Sequence, residues 1–257
     1  MKIMNWKIVI VSMLLVVGVY AGEYGYTDTP LLPGSKWRVH DKNRPEPDMV
    51  QPGAPCCASA PSDAIVLFDC KDLSQWEDVK NSAIEDGSFD VFKTGQIKTK
   101  QQFGDCQLHV EWQIPAKPDG DWSIWGNSGV FLQGLYELQI IESYTYQSYA
   151  DGIAGAVYGQ APPLVNAARP PGEWQSYDIT FTAPRFDADG KLLQPAYFTV
   201  LFNGVTVQNH TASLGHTTHR AVATYANKTT TGPVLLQNHG SHVRFRNIWI
   251  RPLKPLE

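Results

Sequence analysis

Short segments in which apolar and polar residues alternate recur along most of the chain. The clearest is CQLHVEWQI, residues 106–114, where every second residue from Leu108 to Ile114 is apolar. This period of two is typical of a strand with one buried and one polar face. Helical periodicity is nearly absent. The pattern therefore predicts an all-β chain.

Further segments of this character are separated by Gly, Pro, Asn and Asp. They are AIVLFDC, SFDVF, NSGVFLQG, LYELQIIESY, QSYDITFTA, AYFTVLFNGVTVQNH, TGPVLLQNHG and HVRFRNIWIRP. Within the longest, Asn203 and Gly204 predict a two-residue hairpin turn. Eight or more strands with such turns predict an antiparallel two-sheet sandwich or jelly roll. A sandwich of this size can curve one sheet into a groove for an extended or glycosidic ligand.

The chain divides into three parts, of which the first is an export signal at residues 1–21. Lys2 and Lys7 precede an apolar run from Ile8 to Tyr20, and VYA, ending at Ala21, is a small-residue cleavage site. The run is shorter than the roughly 20 residues that cross a bilayer. We therefore expect cleavage, release to the periplasm or medium of a bacterium, and no stable membrane insertion afterwards.

Residues 22–62 form the second part and contain seven prolines without helical or strand periodicity. This composition predicts an extended arm lying over the third part, the sandwich domain of residues 63–257. Export permits disulfides, and the cysteines are Cys56, Cys57, Cys70 and Cys106. We expect one bridge from Cys56 or Cys57 to Cys70 or Cys106. The spacing does not match the paired cysteines of a zinc site.

Charge and composition narrow the partner. A net charge of −4 and a pI near 6.0 give no basic surface for nucleic acid. Eight Trp, eleven Tyr and ten Phe supply many aromatic faces, which suit sugar rings although most belong to the core.

The segment NSGVFLQGLYELQIIESY, residues 127–144, holds Glu137, Gln139 and Glu142 in apolar surroundings. Buried carboxylates are costly unless paired, so these are either satisfied structural residues or a functional site. A regular strand places Glu142 on the face opposite Glu137. A β-bulge between residues 139 and 142 brings both into one hollow. The pattern E-x-Q-x-x-E then resembles the bulged E-x-D-x-x-E strand of laminarinase-type glucanases, with Gln139 in place of the central acid.

Other candidates lie in turns near these strands. Asn127 can donate to a substrate hydroxyl or only shape its turn. Gln237 and His239 end an apolar run, and histidine can serve as base, acid or metal ligand. Trp125 and Tyr158 can stack on a sugar, the latter from a long Pro- and Gly-rich loop. The spacing of three further histidines indicates a polar loop rather than a metal site: His210, His216 and His219.

Several of these segments resemble, in order, the blocks of the 3-keto-disaccharide hydrolase domain family. LFDCKDLSQW resembles its LFNGKDLxxW opening, and FGDCQLHVEWQI, GAVYGQAPPLVNAARPPGEWQSYDI and LLQNHGSHVRFRNIWIRP match later blocks, so the likeness spans roughly Asp63 to Leu253. The resemblance implies a concanavalin A-like sandwich that cleaves glycosides already oxidised at C3 by a separate dehydrogenase. Removal of the C2 proton then expels the C1 substituent, and water adds to the product.

The resemblance also assigns residues. Glu137, Gln139 and Glu142 fall on the family's YEVQILD strand, Asn127 on its NSG and His239 on its LQDHG. Glu142 stands where Asp is common, and Asn238 also replaces an Asp. The implied roles are Glu137 or His239 as base, Glu142 as acid, and Asn127 and Gln139 as donors to the sugar. No cofactor is demanded, although a divalent metal on Glu142 and His239 fits as an enolate stabiliser.

Two other functions remain open at this point. One is a retaining glycosidase that uses Glu137 and Glu142 directly. The other is a non-catalytic carbohydrate-binding module, since lectins use the same sandwich. In all three cases the partner is an oligosaccharide or glycoside.

Overall fold

Two antiparallel β-sheets stack face to face in the computed structural model of the protein, which describes residues 24–52, 59–118, 124–145 and 148–254. The predicted all-β sandwich is confirmed. The predicted signal segment, residues 1–21, lies outside these ranges, as do Cys56 and Cys57.

The elements follow one another with short connections. In chain order they are β1 (Ile65–Phe68), β2 (Trp76–Glu77), β3 (Phe89–Asp90), α1 (Val91–Thr94), β4 (Ile97–Thr99), β5 (Cys106–Gln113), β6 (Ser128–Leu132), β7 (Tyr136–Ile140), β8 (Gln175–Thr182), β9 (Arg185–Phe186), β10 (Leu192–Gln194), β11 (Tyr197–Phe202), β12 (Val205–Ala212), β13 (Leu235–Leu236) and β14 (Arg244–Pro252). A 3-10 turn spans Ala150–Gly152. Among the described residues, no helix is long and apolar enough to cross a membrane.

The larger sheet has the spatial order β1-β14-β5-β8-β11-β12, with β3 also paired to β14. The smaller sheet has the order β2-β4-β13-β6-β7, and β9 and β10 form a separate hairpin. Every paired strand in these sheets runs antiparallel to its neighbour. Because β7 is the last strand of the smaller sheet, loops pack along its free edge.

The core lies between the sheets and is built by alternating residues. Leu108, Val110 and Trp112 of β5 face Tyr136 and Leu138 of β7 in one cluster, each at most 1% exposed. Burying a large apolar side chain is worth about 1.5–3 kcal/mol. The period-two prediction for residues 106–114 is therefore confirmed on the core side.

The opposite side of β5 is polar but not solvated. His109 and Glu111 are buried there beneath side chains of β14. Burial opposes the charged form of His109, yet hydrogen bonds to Asp178 and Glu111 outweigh it and raise the pKa of His109 to about 9. Sequence alternation marks this face as polar, but only the neighbouring strands reveal that it is covered.

The hairpin between β11 and β12 has the predicted two-residue turn. Asn203 and Gly204 have φ of 53° and 82°, and Phe202 pairs with Val205 across them. These left-handed angles are those of a type I′ turn, which matches the twist of the flanking strands.

The arm has no regular strand in residues 24–52, but parts of it are deeply packed. Leu32, Val39 and His40 are buried, and an isolated bridge joins Met49 to Asn166. The backbone of the arm is held mainly by turns and by contacts with loops of the sandwich. This is how an extended segment can be ordered without joining a sheet.

The predicted disulfide is not present. Cys70 and Cys106 are both free thiols. Cys106 begins β5 and is buried, which raises the pKa of its thiol to about 12. Cys106 belongs to the hydrophobic core between the two sheets.

Candidate active site

A cavity of about 280 Å³ lies on the outer face of the smaller sheet. It is lined by Asn127, Phe131, Glu137, Gln139, Tyr158, Thr217, Thr218, His219, Gln237 and His239. Strand alternation explains the floor: Tyr136 and Leu138 point into the core, so Glu137 and Gln139 point outward. The cavity therefore combines apolar support below with polar groups facing the ligand space.

Glu137 is the most unusual group on this floor. Its side chain is buried, and no described cation lies within salt-bridge distance of its carboxylate. Burial alone raises the pKa of Glu137 to about 8. At neutral pH the protonated form of the carboxyl group is therefore favoured. A carboxyl group poised in this way is a mark of functional sites.

Gly129 makes room for that carboxylate. Gly129 lies on β6, opposite Gln139 of β7. A Cβ added to Gly129 would stand 2.5 Å from Oε1 of Glu137. Any larger side chain would displace the carboxylate. The glycine of the NSG motif is therefore needed to leave space for the Glu137 carboxylate, which the sequence alone does not reveal.

Gln139 is fixed by both its backbone and its side chain. Its carbonyl accepts from the Tyr177 hydroxyl (2.7 Å), and its N–H donates to the carbonyl of Ala156 (3.0 Å). Its Oε1 accepts from the N–H of Ile140 (3.1 Å). The amide nitrogen is then left to donate into the cavity that Gln139 lines.

One wall comes from the loop that follows β7. The N–H of Tyr158 donates to the carbonyl of Glu137 (3.2 Å), and an isolated bridge joins Val157 to Leu138. The Tyr158 hydroxyl hydrogen-bonds to Tyr149 (2.8 Å) and to Nδ1 of His219 (3.1 Å). Burial raises the pKa of Tyr158 to about 12, so its hydroxyl remains protonated at neutral pH.

The segment that carries His219 closes the same side. Oγ1 of Thr217 accepts from the N–H of Glu137 (2.9 Å), and the N–H of Thr217 donates to the carbonyl of Leu135. Burial, followed by nearby positive charge, lowers the pKa of His219, which favours the neutral ring. A neutral imidazole offers one donor and one acceptor nitrogen.

The remaining rim is more open. His239 is exposed, while Asn127 and Gln237 are partly buried. The N–H of Gln237 donates to the carbonyl of Gly129 (3.0 Å), which places the end of β13 beside β6. These three side chains complete the polar edge of the cavity.

The structure does not place Glu142 in this cavity. The β6–β7 ladder runs in regular register from Leu132–Tyr136 to Ser128–Ile140, and β7 then ends without the predicted bulge. The Glu142 carboxylate accepts from the N–H groups of Tyr144 (2.8 Å) and Thr145 (2.9 Å). The prediction that a bulge unites Glu142 with Glu137 is wrong, because Glu142 satisfies the turn that follows the strand.

Trp125 is also outside the cavity lining. It is buried, and its indole N–H donates to the carbonyl of Pro115 (3.1 Å). Its own carbonyl accepts from the N–H of Glu142 (3.0 Å). The predicted stacking of Trp125 on a sugar is therefore not supported, since the ring is committed to the fold.

The other predicted site residues converge. Asn127, Glu137, Gln139, Tyr158, Gln237 and His239 all line the cavity. Sequence reasoning missed four further lining residues: Phe131, Thr217, Thr218 and His219. For Phe131 the signal was available, since it shares the outward face of β6 with Gly129. The sequence HTTHR shows polar character but no strand register that would aim it here.

The residues do not fit the metal site suggested by the sequence. Glu142 is absent from the cavity lining, whereas His239 lies on the rim. In the part of the chain that the structure describes, no group of three or more His, Cys, Asp or Glu could hold an ion. We therefore derive no step through a metal.

Comparisons with known proteins agree with this architecture. A proposed glycosyl hydrolase from Parabacteroides distasonis has 47% identity and a TM-score of 0.72, over 82% of this chain and 93% of its own. Two more proposed glycosyl hydrolases from that organism have 21% identity and TM-scores of 0.53, over 74% of this chain and 94% and 99% of theirs, and show the fold alone. A search of curated proteins found no match.

The sandwich, its cavity and these likenesses define a carbohydrate-active enzyme. Residues 63–251 match the family model of the 3-keto-alpha-glucoside-1,2-lyase-like domain. The chain belongs to this family, and the family expected from the sequence is confirmed.

Proposed function

We propose that this protein cleaves glycosides whose sugar carries a ketone at C3, by elimination followed by hydration. The observation that carries the proposal is the buried Glu137 carboxyl, which faces the cavity and is the sole carboxylate among the described lining residues. A 3-keto group acidifies the C2 proton, so one well-placed base suffices to start the reaction. A cavity of about 280 Å³ suits a ligand of about one sugar ring.

The rival retaining mechanism needs two carboxyl groups about 5–5.5 Å apart. Among the described lining residues there is no second carboxyl group beside Glu137. The Glu142 carboxylate instead accepts hydrogen bonds from the N–H groups of Tyr144 and Thr145. This arrangement favours elimination over direct displacement at C1. Because Glu142 lies outside the cavity lining, we do not assign it the role of general acid that the family resemblance implied.

The proposed steps use this chain's own side chains. Ionised Glu137 takes the C2 proton, the electron pair forms the C1–C2 double bond through the enolate, and the C1–O bond breaks. The Tyr158 hydroxyl, hydrogen-bonded to His219, donates the proton that the leaving oxygen needs. Water then adds across the double bond: its hydroxyl group bonds to C1 while its proton passes to Tyr158, and Glu137 returns its proton to C2, which gives the free 3-keto sugar.

The amide side chains supply binding and charge stabilisation. Gln139 and Asn127 donate to sugar oxygens, and the enolate oxygen is stabilised by such donors as it gains charge. Gln237 and His239 line the open edge, where His239 can contact the leaving group. His239 is the alternative base. The variants E137Q and H239A, described below, distinguish which of the two residues takes the C2 proton.

The test is a comparison of matched substrates. Purified protein is incubated with p-nitrophenyl 3-keto-glucopyranosides of both anomers and with the unoxidised glucosides. We expect release of p-nitrophenol from an oxidised substrate alone, a loss of about 10²–10⁴-fold in E137Q, and a smaller loss in H239A. Cleavage of plain glucosides would support the retaining rival, and binding without turnover of either would support a lectin-like module.

Export is part of the proposal. The Lys2, Lys7 and Ile8–Tyr20 pattern supports cleavage near Ala21 and a periplasmic or secreted enzyme. It would act after a separate dehydrogenase that oxidises the sugar at C3. Cell fractionation with mass measurement of the mature chain tests this: an intact chain of 28.6 kDa in the cytoplasm would contradict it.

A further inference from the structure

The arm reaches the cavity wall through a buried histidine. His40 is fully buried, and its ring centroid lies 4.3 Å from that of Tyr149, 4.9 Å from Tyr158 and 5.3 Å from His219. Two of these three rings, Tyr158 and His219, line the cavity. His40 itself does not, so it contacts the site from behind.

Asp151 fixes the position of His40. One carboxylate oxygen accepts from the N–H of His40 (3.1 Å), and the other lies 3.3 Å from Nδ1 of its ring. Asp151 is equally buried, in the 3-10 turn that precedes Tyr158. Gly159, with φ of 69°, passes so close that an added Cβ would stand 3.0 Å from the His40 ring. These contacts therefore fix the position of the His40 ring.

A second set of contacts ties the arm to the His219 segment. The Tyr26 hydroxyl lies 3.4 Å from Nε2 of His219, on the ring nitrogen opposite Tyr158. Arg220 pairs with Asp28 (3.1 Å) and lies 4.0 Å above the Tyr26 ring. The arm thus holds two loops that approach β7 separately, one carrying Tyr158 and the other His219.

We propose that His40 is a positioning residue that holds the Tyr158–His219 pair in its hydrogen-bonded arrangement, which makes the arm a working part of the site. The catalytic value of that pair rests on the proposed function, but the positioning itself does not. Without the His40 ring, Tyr158 and His219 lose the surface against which both are packed. A displacement of about 1 Å at a reacting group can cost about 10²-fold in rate.

The surroundings of His219 give this idea a second readout. Burial lowers its pKa first, and the charge of His40 next. The ionisable groups near the pair are Tyr26, Glu137, Tyr149, Asp151, Arg220, His239 and, around Asp151, Arg44 and Glu46. Removal of the His40 ring takes away its charge and part of the burial, whereas Arg220 and His239 remain, so the pKa of His219 should rise towards its ordinary value.

The experiment compares H40A with V39A. Val39 is the adjacent arm residue and is equally buried, but its side chain has neither an aromatic ring nor an ionisable group. The full-length variants are titrated by NMR of the histidine rings and assayed with the p-nitrophenyl 3-keto-glucopyranosides. H40N keeps a donor for Asp151 and removes most of the ring, and it serves if H40A does not fold.

In H40A we expect the NMR signals of the His219 ring to shift and the midpoint of its pH titration to rise. We also expect kcat to fall by about 10- to 100-fold, with a smaller change in KM. V39A should lower the unfolding temperature while leaving the His219 signals and kcat within about twofold of wild type. Unchanged His219 signals in H40A, or equal effects in V39A, would overturn the proposal. If wild type cleaves no 3-keto substrate but His219 moves, the reaction is wrong and the positioning stands.

Discussion

Two glutamates five positions apart have opposite fates because of their hydrogen bonds. Glu142 accepts from two backbone N–H groups and so stabilises a turn. In the described part of the chain the Glu137 carboxylate has no comparable donors, and burial raises its pKa to about 8. Hydrogen bonds to the ionised form favour that form, whereas burial disfavours it. Residue type alone does not distinguish them.

The pH dependence of activity tests the role of Glu137. A base works when deprotonated, so kcat/KM should rise with pH, with a midpoint near 8 that belongs to Glu137. Steady-state rates between pH 5.5 and 10 measure this limb, and E137Q should lack it. A limb that falls through pH 8 would instead identify Glu137 as the proton donor.

At the scale of elements, the floor of the site is a consequence of strand alternation. Because Tyr136 and Leu138 must face the core, Glu137 and Gln139 face outward, and this much follows from the sequence. The conformation at the end of β7 does not follow from the sequence, because a turn stabilised by Glu142 competes with a bulge there. The wall does not either: Tyr158 and His219 meet 61 positions apart, through contacts with no local signature.

Gly129→Ala tests the fit between β6 and β7. The added methyl would stand 2.5 Å from Oε1 of Glu137, so the carboxylate must move. We expect kcat/KM to fall by about 10- to 100-fold with a modest loss of stability.

Gly104→Ala is the matched control, because its Cβ would make a tight contact (3.2 Å to the carbonyl of Thr230) at residues that do not line the cavity. It should cost stability without a change in kcat/KM. Full activity in Gly129→Ala would show that the placement of Glu137 does not depend on this glycine.

For the whole molecule, the sequence predicted the architecture better than its connections. Alternation and the Asn203–Gly204 turn predicted a sandwich, and both agree with the structure. The expected disulfide is wrong, since Cys70 and Cys106 are both free thiols and Cys106 is buried in the core. The covered polar face of β5 could not be foreseen, since His109 is buried only once β14 and β8 have paired beside it.

That buried polar face and the cavity together predict how stability varies with pH. Folding raises the pKa of both His109, to about 9, and Glu137, to about 8, so the folded state binds more protons than the unfolded state. Their stabilising contribution is present below the unfolded values of about 6.5 and 4.3 and is lost as pH rises through 8 and 9. The protein should be less stable at pH 9 than at pH 6, by up to roughly 3–6 kcal/mol.

Thermal unfolding at the two pH values measures the difference. E137Q, which removes one of the groups whose pKa is raised on folding, should narrow the gap by raising the unfolding temperature at pH 9 relative to wild type. Equal stability of wild type at both pH values would contradict the argument.

The arm also imposes an order on biosynthesis. His40 reaches Asp151 across 111 positions and Tyr26 reaches His219 across 193, so the ribosome delivers the arm long before its docking loops exist. Closing such long loops is entropically slow, and the emerging chain must keep this proline-rich segment unengaged meanwhile. Under the proposed function, a partial chain that ends soon after Glu137 still lacks the Tyr158–His219 wall, so the site is complete only after residue 219 has been made and the arm has docked.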